Sequence, residues 1–427
     1  MTLPPLINTS LAYVLHGAAQ AVAGVLAGRN LNEALANVWR EQPSLLPAQR
    51  GAVQDLAYSA LRRFGRDDFF LARLMDHPPR NDMARALLLV ALGRLAARPE
   101  DAHTIVDQTV EAAAAFADGK YKALINGVLR NFLRRRAELE TAAAQDEAAR
   151  WQYPRWWIAR VRRLYPADWP SILEAGNGRP PMTLRVNQRR LPAPDFLIQL
   201  EKAGLAARSL GDAAIQLERP APVDKLPGFA DGLVSVQDAG AQRAAALLDA
   251  RDGMRVLDAC AAPGGKTAHI LERANVDLLA LDADAGRILR VSENLLRLGL
   301  LAKVKPADCR DLAAWWDGRP FDRILADVPC TASGVARRHP DMKWLRREAD
   351  VAKFARNQGE ILDALWRALA PGGKLLYATC SLFAEENGRQ VAAFAARQKN
   401  CMRLPEQQLL PNEEHDGFYY ALLEKRI

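Results

Sequence analysis

Two of the five cysteines directly follow short apolar runs that predict buried strands. Cys330 ends the sequence ILADVPC, and Cys380 ends YATC. If the two strands are neighbours in a parallel sheet, their carboxyl ends bring both thiols to one edge. A lone cysteine at a strand end is usually a small buried hydrophobe, whereas two converging thiols favour covalent catalysis.

Three aspartates stand at the ends of predicted strands in the same region. Asp282 ends LLALD, where a carboxylate can accept hydrogen bonds from both ribose hydroxyls of a bound nucleoside. Asp308 can hold an adenine edge or an amine, and Asp327 ends ILAD next to the first thiol. A single aspartate there is usually a turn or a helix cap. Three on successive strand ends favour a binding site.

The stretch 254–271, MRVLDACAAPGGKTAHIL, predicts a strand, a glycine turn and a helix N-terminus. This arrangement suits a nucleotide-like ligand, because glycine lets the backbone come close to it. A P-loop needs glycine where Cys260 stands, and the dinucleotide pattern G-x-G-x-x-G is absent. S-adenosylmethionine, an adenosine cofactor without phosphates, fits best. The turn alone is equally compatible with simple closure of a βα unit.

The paired thiols suit one reaction in particular. Carbon 5 of cytosine is a poor nucleophile, but a thiolate that adds to carbon 6 makes carbon 5 enamine-like, so that it can take a methyl group. The carbon 5 proton must then leave and the sulfur must be expelled, a step that a second group near the first thiol would serve. Asp327, if protonated or shared with the ring, can stabilise charge at ring nitrogen 3 and the amino group.

The surrounding pattern predicts the elements that position these residues. Strands at 255–258, 278–282, 303–306, 322–327 and 374–379 alternate with helices that include 285–298 and 357–369. This alternation predicts an α/β, Rossmann-like, largely parallel sheet over residues 236–427. Residues 145–235 predict a small α/β, RRM-like module with strands at 183–186 and 215–217 and a helix near 194–203. Residues 1–140 predict an all-α domain. The chain is therefore expected to be multidomain.

Charge and aromatic residues indicate a polyanionic partner. The net charge is +8 and the isoelectric point is near 9.3. Residues 120–165 hold eleven Lys or Arg against four acids, together with three tryptophans (Trp151, Trp156 and Trp157). The basic run 134–136 favours RNA binding. The tryptophans suit base stacking or, equally, packing at a domain joint.

Other patterns exclude several classes of protein. The cysteines are widely spaced, which indicates reduced thiols, and the six histidines show no metal-ligand spacing, so no metal is expected. The first ten residues do not resemble a signal peptide. The apolar run 86–93 is too short to span a bilayer. The sequence therefore predicts a soluble, cytoplasmic protein that does not interact with membranes.

With these motifs in place, the sequence resembles the RNA cytosine-5 methyltransferases of the NOL1/NOP2/Sun family. The matching stretches are CAAPGGKT (260–267), DVPC (327–330), GVARRHPDMKW (334–344) and YATCSLFAEEN (377–387). Upstream, VDQTVEA (106–112) and KALINGVLRN (122–131) resemble a NusB-like helical domain. That combination is similar to the bacterial group that methylates 16S ribosomal RNA.

The resemblance implies a role for each matching position. Cys380 would be the nucleophile, Cys330 would assist product release, and Asp327 would belong to the catalytic group. S-adenosylmethionine would be bound by the turn and the strand-end aspartates, with Arg287 also close to it. The implied cofactor-binding residues are Cys260, Ala261, Ala262, Pro263, Gly264, Gly265, Lys266, Asp282, Asp308 and Asp327. Val328 and the turn Thr331-Ala332-Ser333 depart mildly from the family pattern, which puts the specific substrate in doubt.

Other functions remain open from the sequence. A DNA cytosine methyltransferase would use the Pro-Cys thiol as nucleophile and would not need Cys380. A non-catalytic RNA-binding or antitermination factor would need only the helical half, and the intact thiols and aspartates argue against it. A methyltransferase of this type acting on tRNA or on another ribosomal RNA site is a further alternative. The resemblance implies a monomer with 16S ribosomal RNA as partner.

Overall fold

The computed structural model describes Leu6 and residues 10–427 and divides into two compact units. The first contains residues 1–177 and 336–347, and the second contains residues 178–335 and 348–427. The three predicted domains, 1–140, 145–235 and 236–427, stay a prediction, and these units cut the chain at other positions. The expectation about a signal peptide concerns residues that, except for 6 and 10, lie outside the described part.

The described residues of the first unit form helices and connecting loops, as predicted for the N-terminal domain. Residues 145–177, predicted as part of the small α/β module, are also mostly helical. Polar residues begin several helices: Ser10, Asn30 and Asn81 each accept a hydrogen bond from a backbone N–H in the first helical turn, which satisfies one of the free donors there. The helices from its continuous N-terminal stretch are α1 (Leu11–Leu26), α2 (Leu31–Glu41), α3 (Pro47–Leu74), α4 (Asp82–Ala97), α5 (Ala102–Ala113), α6 (Lys122–Gln145), α7 (Glu147–Trp151), α8 (Arg155–Leu164) and α9 (Trp169–Asn177).

The tryptophans of this unit resolve one open alternative. Trp157 is fully buried, and its ring packs against Tyr153 with centroids 5.6 Å apart. Trp151 meets Trp169 edge to face at 4.8 Å. The rings of Trp151 and Trp157 therefore pack against other aromatic rings within the helical unit.

The basic run 134–136 is partly neutralised by a neighbouring acid. Arg135 forms an ion pair with Glu138 at 2.7 Å.

The second unit contains a four-stranded antiparallel sheet in the order β2-β3-β1-β4. The sequence predicts β1, β3 and the helix, but neither edge strand, β2 or β4. The residues of β2 are mostly exposed and have no apolar alternation. The elements are β1 (Met182–Val186), α10 (Ala193–Lys202), β2 (Ala207–Gly211), β3 (Ala214–Leu217) and β4 (Val234–Val236).

A seven-stranded sheet forms the rest of the second unit, in the order β10-β11-β9-β8-β5-β6-β7. The five predicted strands are present and run parallel to one another. The strands are β5 (Arg255–Asp258), β6 (Asp277–Asp282), β7 (Lys303–Pro306), β8 (Phe321–Asp327), β9 (Leu369–Thr379), β10 (Cys401–Leu409) and β11 (Phe418–Lys425). The sequence pattern does not predict β10 and β11. These two strands extend the sheet beyond β9, with β11 antiparallel to β9 and β10 antiparallel to β11.

Helices lie between these strands in the sequence. They are α11 (Ala239–Leu248), α12 (Gly265–Arg273), α13 (Ala285–Leu298), α14 (Leu312–Trp315), α15 (Met342–Leu345), α16 (Glu348–Ala368) and α17 (Gly388–Arg397). Of these, α15 belongs to the first unit. The predicted doubly wound α/β fold is confirmed. Because β5 pairs with β6 on one side and β8 on the other, the strand order reverses at β5, and ligands bind at such a point.

A buried arginine joins the small sheet to the start of α12. Arg185 on β1 has no exposed surface and forms a two-pronged ion pair with Glu272, at 2.8 and 2.7 Å. Its Nη1 also donates to the carbonyl of Gly265 at 2.7 Å. Because a buried guanidinium is costly unless its donors are satisfied, these bonds fix β1 against the helix that begins at the glycine turn.

The described residues contain neither a bilayer-spanning helix nor a cluster of metal ligands. In the part of the chain that the structure describes, no helix is both long and apolar enough to cross a bilayer. Within the same residues, no three His, Cys, Asp or Glu side chains are grouped as a metal site would require.

Candidate active site at the carboxyl edge of the large sheet

The two predicted thiols lie next to each other. Cys330 follows β8 and Cys380 follows β9, and because these strands are parallel neighbours, their Sγ atoms are 3.3 Å apart. Cys330 is 8% exposed, whereas Cys380 is half-buried. The hydrogen bond to the Cys380 sulfur, together with burial, raises the pKa of Cys330 well above its usual value. Cys330 therefore keeps its proton, and Cys380 is the more accessible sulfur.

A lysine–aspartate pair lies in the same region. Lys266, in the first turn of α12, places Nζ 2.5 Å from Oδ2 of Asp327 at the end of β8. Burial lowers the pKa of Lys266, but the charges of Asp327 and Cys380 more than offset it, so the net shift is upward. Lys266 therefore stays positively charged beside Asp327.

The predicted glycine turn connects β5 to α12. Gly264 has φ +98° and forms the N-cap of α12, and a Cβ there would lie 3.0 Å from the Cα of Val291. Only glycine adopts this conformation without strain. Glycine at this position therefore lets α13 pack closely against the turn.

Asp282 and Arg287 hold this turn in place. Asp282 Oδ2 accepts from the backbone N–H of Ala262 at 3.1 Å, and Oδ1 accepts from the N–H of Asp284 at 3.0 Å. Arg287 donates to the carbonyl of Ala262 at 3.0 Å, and its Nη2 is 3.9 Å from the Asp282 carboxylate. The structure therefore brings both predicted residues to the glycine turn.

Asp308 has another partner. Its carboxylate forms an ion pair with Arg310, with an Nη2–Oδ2 distance of 2.7 Å. This hydrogen bond lowers the pKa of Asp308. Arg310 also bonds Asn357 and Glu360, both at 2.8 Å. The expected contact between Asp308 and an adenine edge or amine would have to compete with this guanidinium.

The sequence has close relatives among named bacterial proteins. It is 43% identical to ribosomal RNA small subunit methyltransferase B of Vibrio vulnificus, over 93% of this chain and 96% of the relative. It is 42% identical to the protein of the same name from Vibrio cholerae, over 97% and 99% of the two chains. The chain belongs to the ribosomal RNA small subunit methyltransferase B family.

Models of the separate domains agree with this membership. One described as 16S rRNA methyltransferase RsmB/F matches residues 245–424, and the NusB family matches residues 16–134. The ferredoxin-like domain of the RsmF/B methyltransferases matches residues 153–224. The predicted resemblance, including the NusB-like domain, is confirmed.

Solved structures share the fold of this family member. The crystal structure of PH0851 superposes with a TM-score of 0.83 at 22% identity, over 98% of this chain and 99% of that one. A methyltransferase homologue from Pyrococcus horikoshii gives a TM-score of 0.58 at 27% identity, over 65% and 97% of the two chains. NSun6 from Pyrococcus horikoshii, solved with SFG, gives 0.57 at 21% identity, over 64% and 98%.

Two buried carboxyl groups of the site, Asp258 and Glu386, were not predicted to have a role. Both lie inside the sequence motifs described above. Asp258 ends β5, where Oδ2 is 2.7 Å from the Thr267 hydroxyl and Oδ1 is buried without a hydrogen-bond partner. Burial raises the pKa of Asp258 to about 7. Glu386, in the loop after Cys380, has no exposed surface. Asp258 ends a predicted strand, so the strand-end pattern could have revealed it, whereas Glu386 depends on how its loop folds back.

Proposed function

We propose that this chain transfers a methyl group from S-adenosylmethionine to carbon 5 of a cytosine in 16S ribosomal RNA, through a covalent bond between Cys380 and carbon 6. The observation that carries the proposal is the pair of sulfurs 3.3 Å apart on neighbouring strand ends. The ion pair between Lys266 and Asp327 beside them supports it. This arrangement supplies a nucleophile, a second acid–base group and a charged pair for the ring.

The thiol performs the step that the pyrimidine cannot perform alone. The Cys380 thiolate adds to carbon 6, and the electron pair of the 5,6 double bond moves toward nitrogen 3 and the exocyclic groups. S-adenosylmethionine supplies the methyl group that carbon 5 accepts. A base then removes the carbon 5 proton, the 5,6 double bond re-forms, and Cys380 leaves as a thiolate.

The different environments of the two thiols support the division of roles. A nucleophile must be accessible, and Cys380 is the less buried of the two thiols. Cys330 is buried and keeps its proton, so its S–H can donate to the neighbouring sulfur. We assign the attack to Cys380 and assistance in sulfur release to Cys330.

The residues around the turn fit an adenosine-type methyl donor. Oδ1 of Asp258, at the end of β5, is a buried acceptor without a partner. The residues that would hold the donor are those of the turn, 260–266, with Asp282 for the ribose. NSun6 from Pyrococcus horikoshii was solved with SFG, an S-adenosylmethionine analogue, which supports this choice of cofactor.

The names of the relatives support the substrate. The Vibrio proteins are named for the small ribosomal subunit and match nearly the whole chain. We extend that substrate to this chain, which implies action in the bacterial cytoplasm, where ribosomes assemble. The net charge of +8 suits a polyanionic substrate.

A label-transfer assay tests the proposal. Purified protein with tritiated S-adenosylmethionine should label unmodified 16S ribosomal RNA, and nuclease digestion should return the label as 5-methylcytidine. Total tRNA and duplex DNA are the competing substrates in parallel reactions. Label in DNA or tRNA but not in 16S RNA, or a different methylated nucleoside, would overturn the proposal.

A further inference from the structure

A buried polar cluster lies beneath the two thiol-bearing loops. The Cys330 loop comprises residues 328–334, and the Cys380 loop comprises residues 380–387. We define the Glu386 cluster as Glu386, Thr331, Ser381 and Gln358, each with no exposed surface. It thus joins one residue from the Cys330 loop, two from the Cys380 loop and one from α16.

The Glu386 carboxylate accepts four hydrogen bonds. Oε1 accepts from the backbone N–H of Thr331 at 2.8 Å and from Nε2 of Gln358 at 3.2 Å. Oε2 accepts from the hydroxyl of Thr331 at 2.6 Å and from that of Ser381 at 2.5 Å. The residues directly after both cysteines are thereby bonded to the same carboxylate.

Neighbouring side chains connect this cluster to the strand ends. Gln358 Nε2 also donates to the carbonyl of Pro329, the residue before Cys330, at 2.9 Å. Tyr377, three residues before Cys380, donates its hydroxyl to the Glu386 carbonyl at 2.6 Å. The backbone on both sides of the sulfur pair is therefore fixed by buried hydrogen bonds.

A carboxyl group in this position needs a reason, because burying one costs more than burying an apolar side chain of the same size. Burial raises the pKa of Glu386, and the hydrogen bonds from Ser381 and Thr331 oppose that shift. An apolar side chain would fill the space but could not bind donors from two loops at once. The geometry thus favours a role in which the distance between the loops matters.

We propose that Glu386 is a positioning residue that sets the spacing of the Cys330 and Cys380 sulfurs by bonding both loops. It does not touch the reacting atoms. The proposal rests on the proposed function, in which one thiol attacks the base and the other assists its release. Misplacement of either sulfur by about 1 Å is enough to slow such a reaction by about 100-fold.

Disulfide trapping measures this spacing without RNA or cofactor. Diamide takes one hydrogen from each thiol and becomes the hydrazine, while the sulfurs form a bond that requires close, well-aligned cysteines. Peptide mapping by mass spectrometry follows the linked Cys330 and Cys380 peptides with time. The full chain carrying Glu386→Ala should form this link about tenfold more slowly than wild type.

Two further variants define the cause. Glu386→Gln should stay within about twofold of wild type, because its amide oxygen keeps the Thr331 N–H and its NH₂ group can donate to the two hydroxyls, which rotate to accept. Glu406→Ala is the matched control, since Glu406 bonds Tyr419 and Arg403 instead of the thiol loops. It should oxidise like wild type.

The same proteins separate this inference from the proposed function. In steady-state assays on 16S RNA, Glu386→Ala should lower kcat while leaving the KM for S-adenosylmethionine within about twofold. If wild type methylates no RNA, the proposed function fails, and the trapping result still decides the role of Glu386. If Glu386→Ala does not fold, Thr331→Val replaces it in the test. This variant removes one hydroxyl bond to Glu386, so it should slow trapping by less than the tenfold expected for Glu386→Ala. Trapping at the wild-type rate in the folded variant, or equal slowing in Glu406→Ala, would overturn the inference.

Discussion

At the residue scale, proton positions decide what the site can do. Cys330 stays protonated beside the more accessible Cys380, while Lys266 stays charged beside Asp327. Asp258 differs from these, because burial raises its pKa to about 7. Its charge therefore changes within the physiological range, directly beneath the glycine turn.

Asp258 should make stability depend on pH. Its pKa rises from an ordinary 3.8 to about 7 on folding, so the folded state alone holds this proton between those values. The resulting stabilisation is full below about pH 4 and is lost as pH rises through 7. Between pH 5 and 8, wild type should therefore lose unfolding free energy, by at most about 3 kcal/mol, that Asp258→Asn retains.

Urea unfolding of the ligand-free protein across this range checks the prediction. Asp284→Asn is the control, because backbone hydrogen bonds from Arg287 and Gly286 lower the pKa of Asp284, so that it titrates below the window. A difference between wild type and Asp258→Asn that does not change with pH would contradict the assignment.

The candidate residues could be predicted because each stands directly after an apolar run, and strand ends of a parallel sheet converge. Cys330, Cys380 and Asp327 were found in this way. Glu386 and the partner of Asp308 could not be found, since both depend on how loops fold back. Arg310 and Asp308 are close in sequence, but Thr331 and Glu386 are 55 residues apart. No spacing rule connects the latter pair.

At the element scale, the glycine turn determines where α12 begins and how closely α13 approaches it. A Cβ on Gly264 would meet the Cα of Val291, and φ there is +98°. Gly265, the next residue, has no such φ, and its Cβ would come no closer than 3.6 Å to Gln237. Alanine substitution of the two adjacent glycines therefore compares a position with a left-handed backbone and a close neighbour with a position that has neither.

Gly264→Ala should lower the unfolding free energy by about 2 kcal/mol, the sum of left-handed strain and contact with α13. Gly265→Ala should be neutral or slightly stabilising, because alanine favours a helix. Chemical denaturation of the ligand-free proteins measures both values. Equal losses for the two variants would show that conformation at Gly264 is not what fixes the turn.

Elements with strong local patterns were predictable, and elements fixed by pairing were not. The strands β5 to β9 are short apolar runs ended by polar residues. The strand β10 reads CMRLPEQQL, whose proline and polar residues argue against a strand. It forms because β11 supplies its hydrogen bonds across an irregular register between Arg403 and Glu406.

At the scale of the whole molecule, the first unit is assembled from two separate stretches of chain. Residues 336–347 follow the Cys330 loop in sequence but fold with the N-terminal helices. Asp341 accepts from the N–H of Leu31 at 2.9 Å, and Lys343 donates to Asn177 at 2.9 Å. Cutting the chain near residue 140 would remove Leu31 and leave Asn177, so this segment would lose part of its support.

Trp344 should stabilise the helical unit from this distant part of the sequence. Its ring packs on Phe64 at 4.7 Å, and its indole N–H donates to the carbonyl of Leu61 at 3.0 Å. Trp344→Ala should destabilise the unit by about 2 kcal/mol, less than for a fully buried tryptophan. Hydrogen–deuterium exchange should accordingly accelerate in α3.

Trp316→Ala is the control, because its indole N–H bonds a carbonyl only three residues away, that of Arg319. It should leave exchange in α3 unchanged. Unaltered exchange in Trp344→Ala would show that the segment is not part of the folded helical unit.

The central claim is that Cys380 attacks the RNA base and Cys330 assists release, and a denaturing gel tests it most directly. Wild type, Cys330→Ala, Cys380→Ala and the double variant are each mixed with labelled 16S RNA and S-adenosylmethionine. Only Cys330→Ala should accumulate an RNA–protein complex that survives denaturation, because its adduct forms but breaks down slowly. A complex trapped by Cys380→Ala instead, or by neither single variant, would contradict the account.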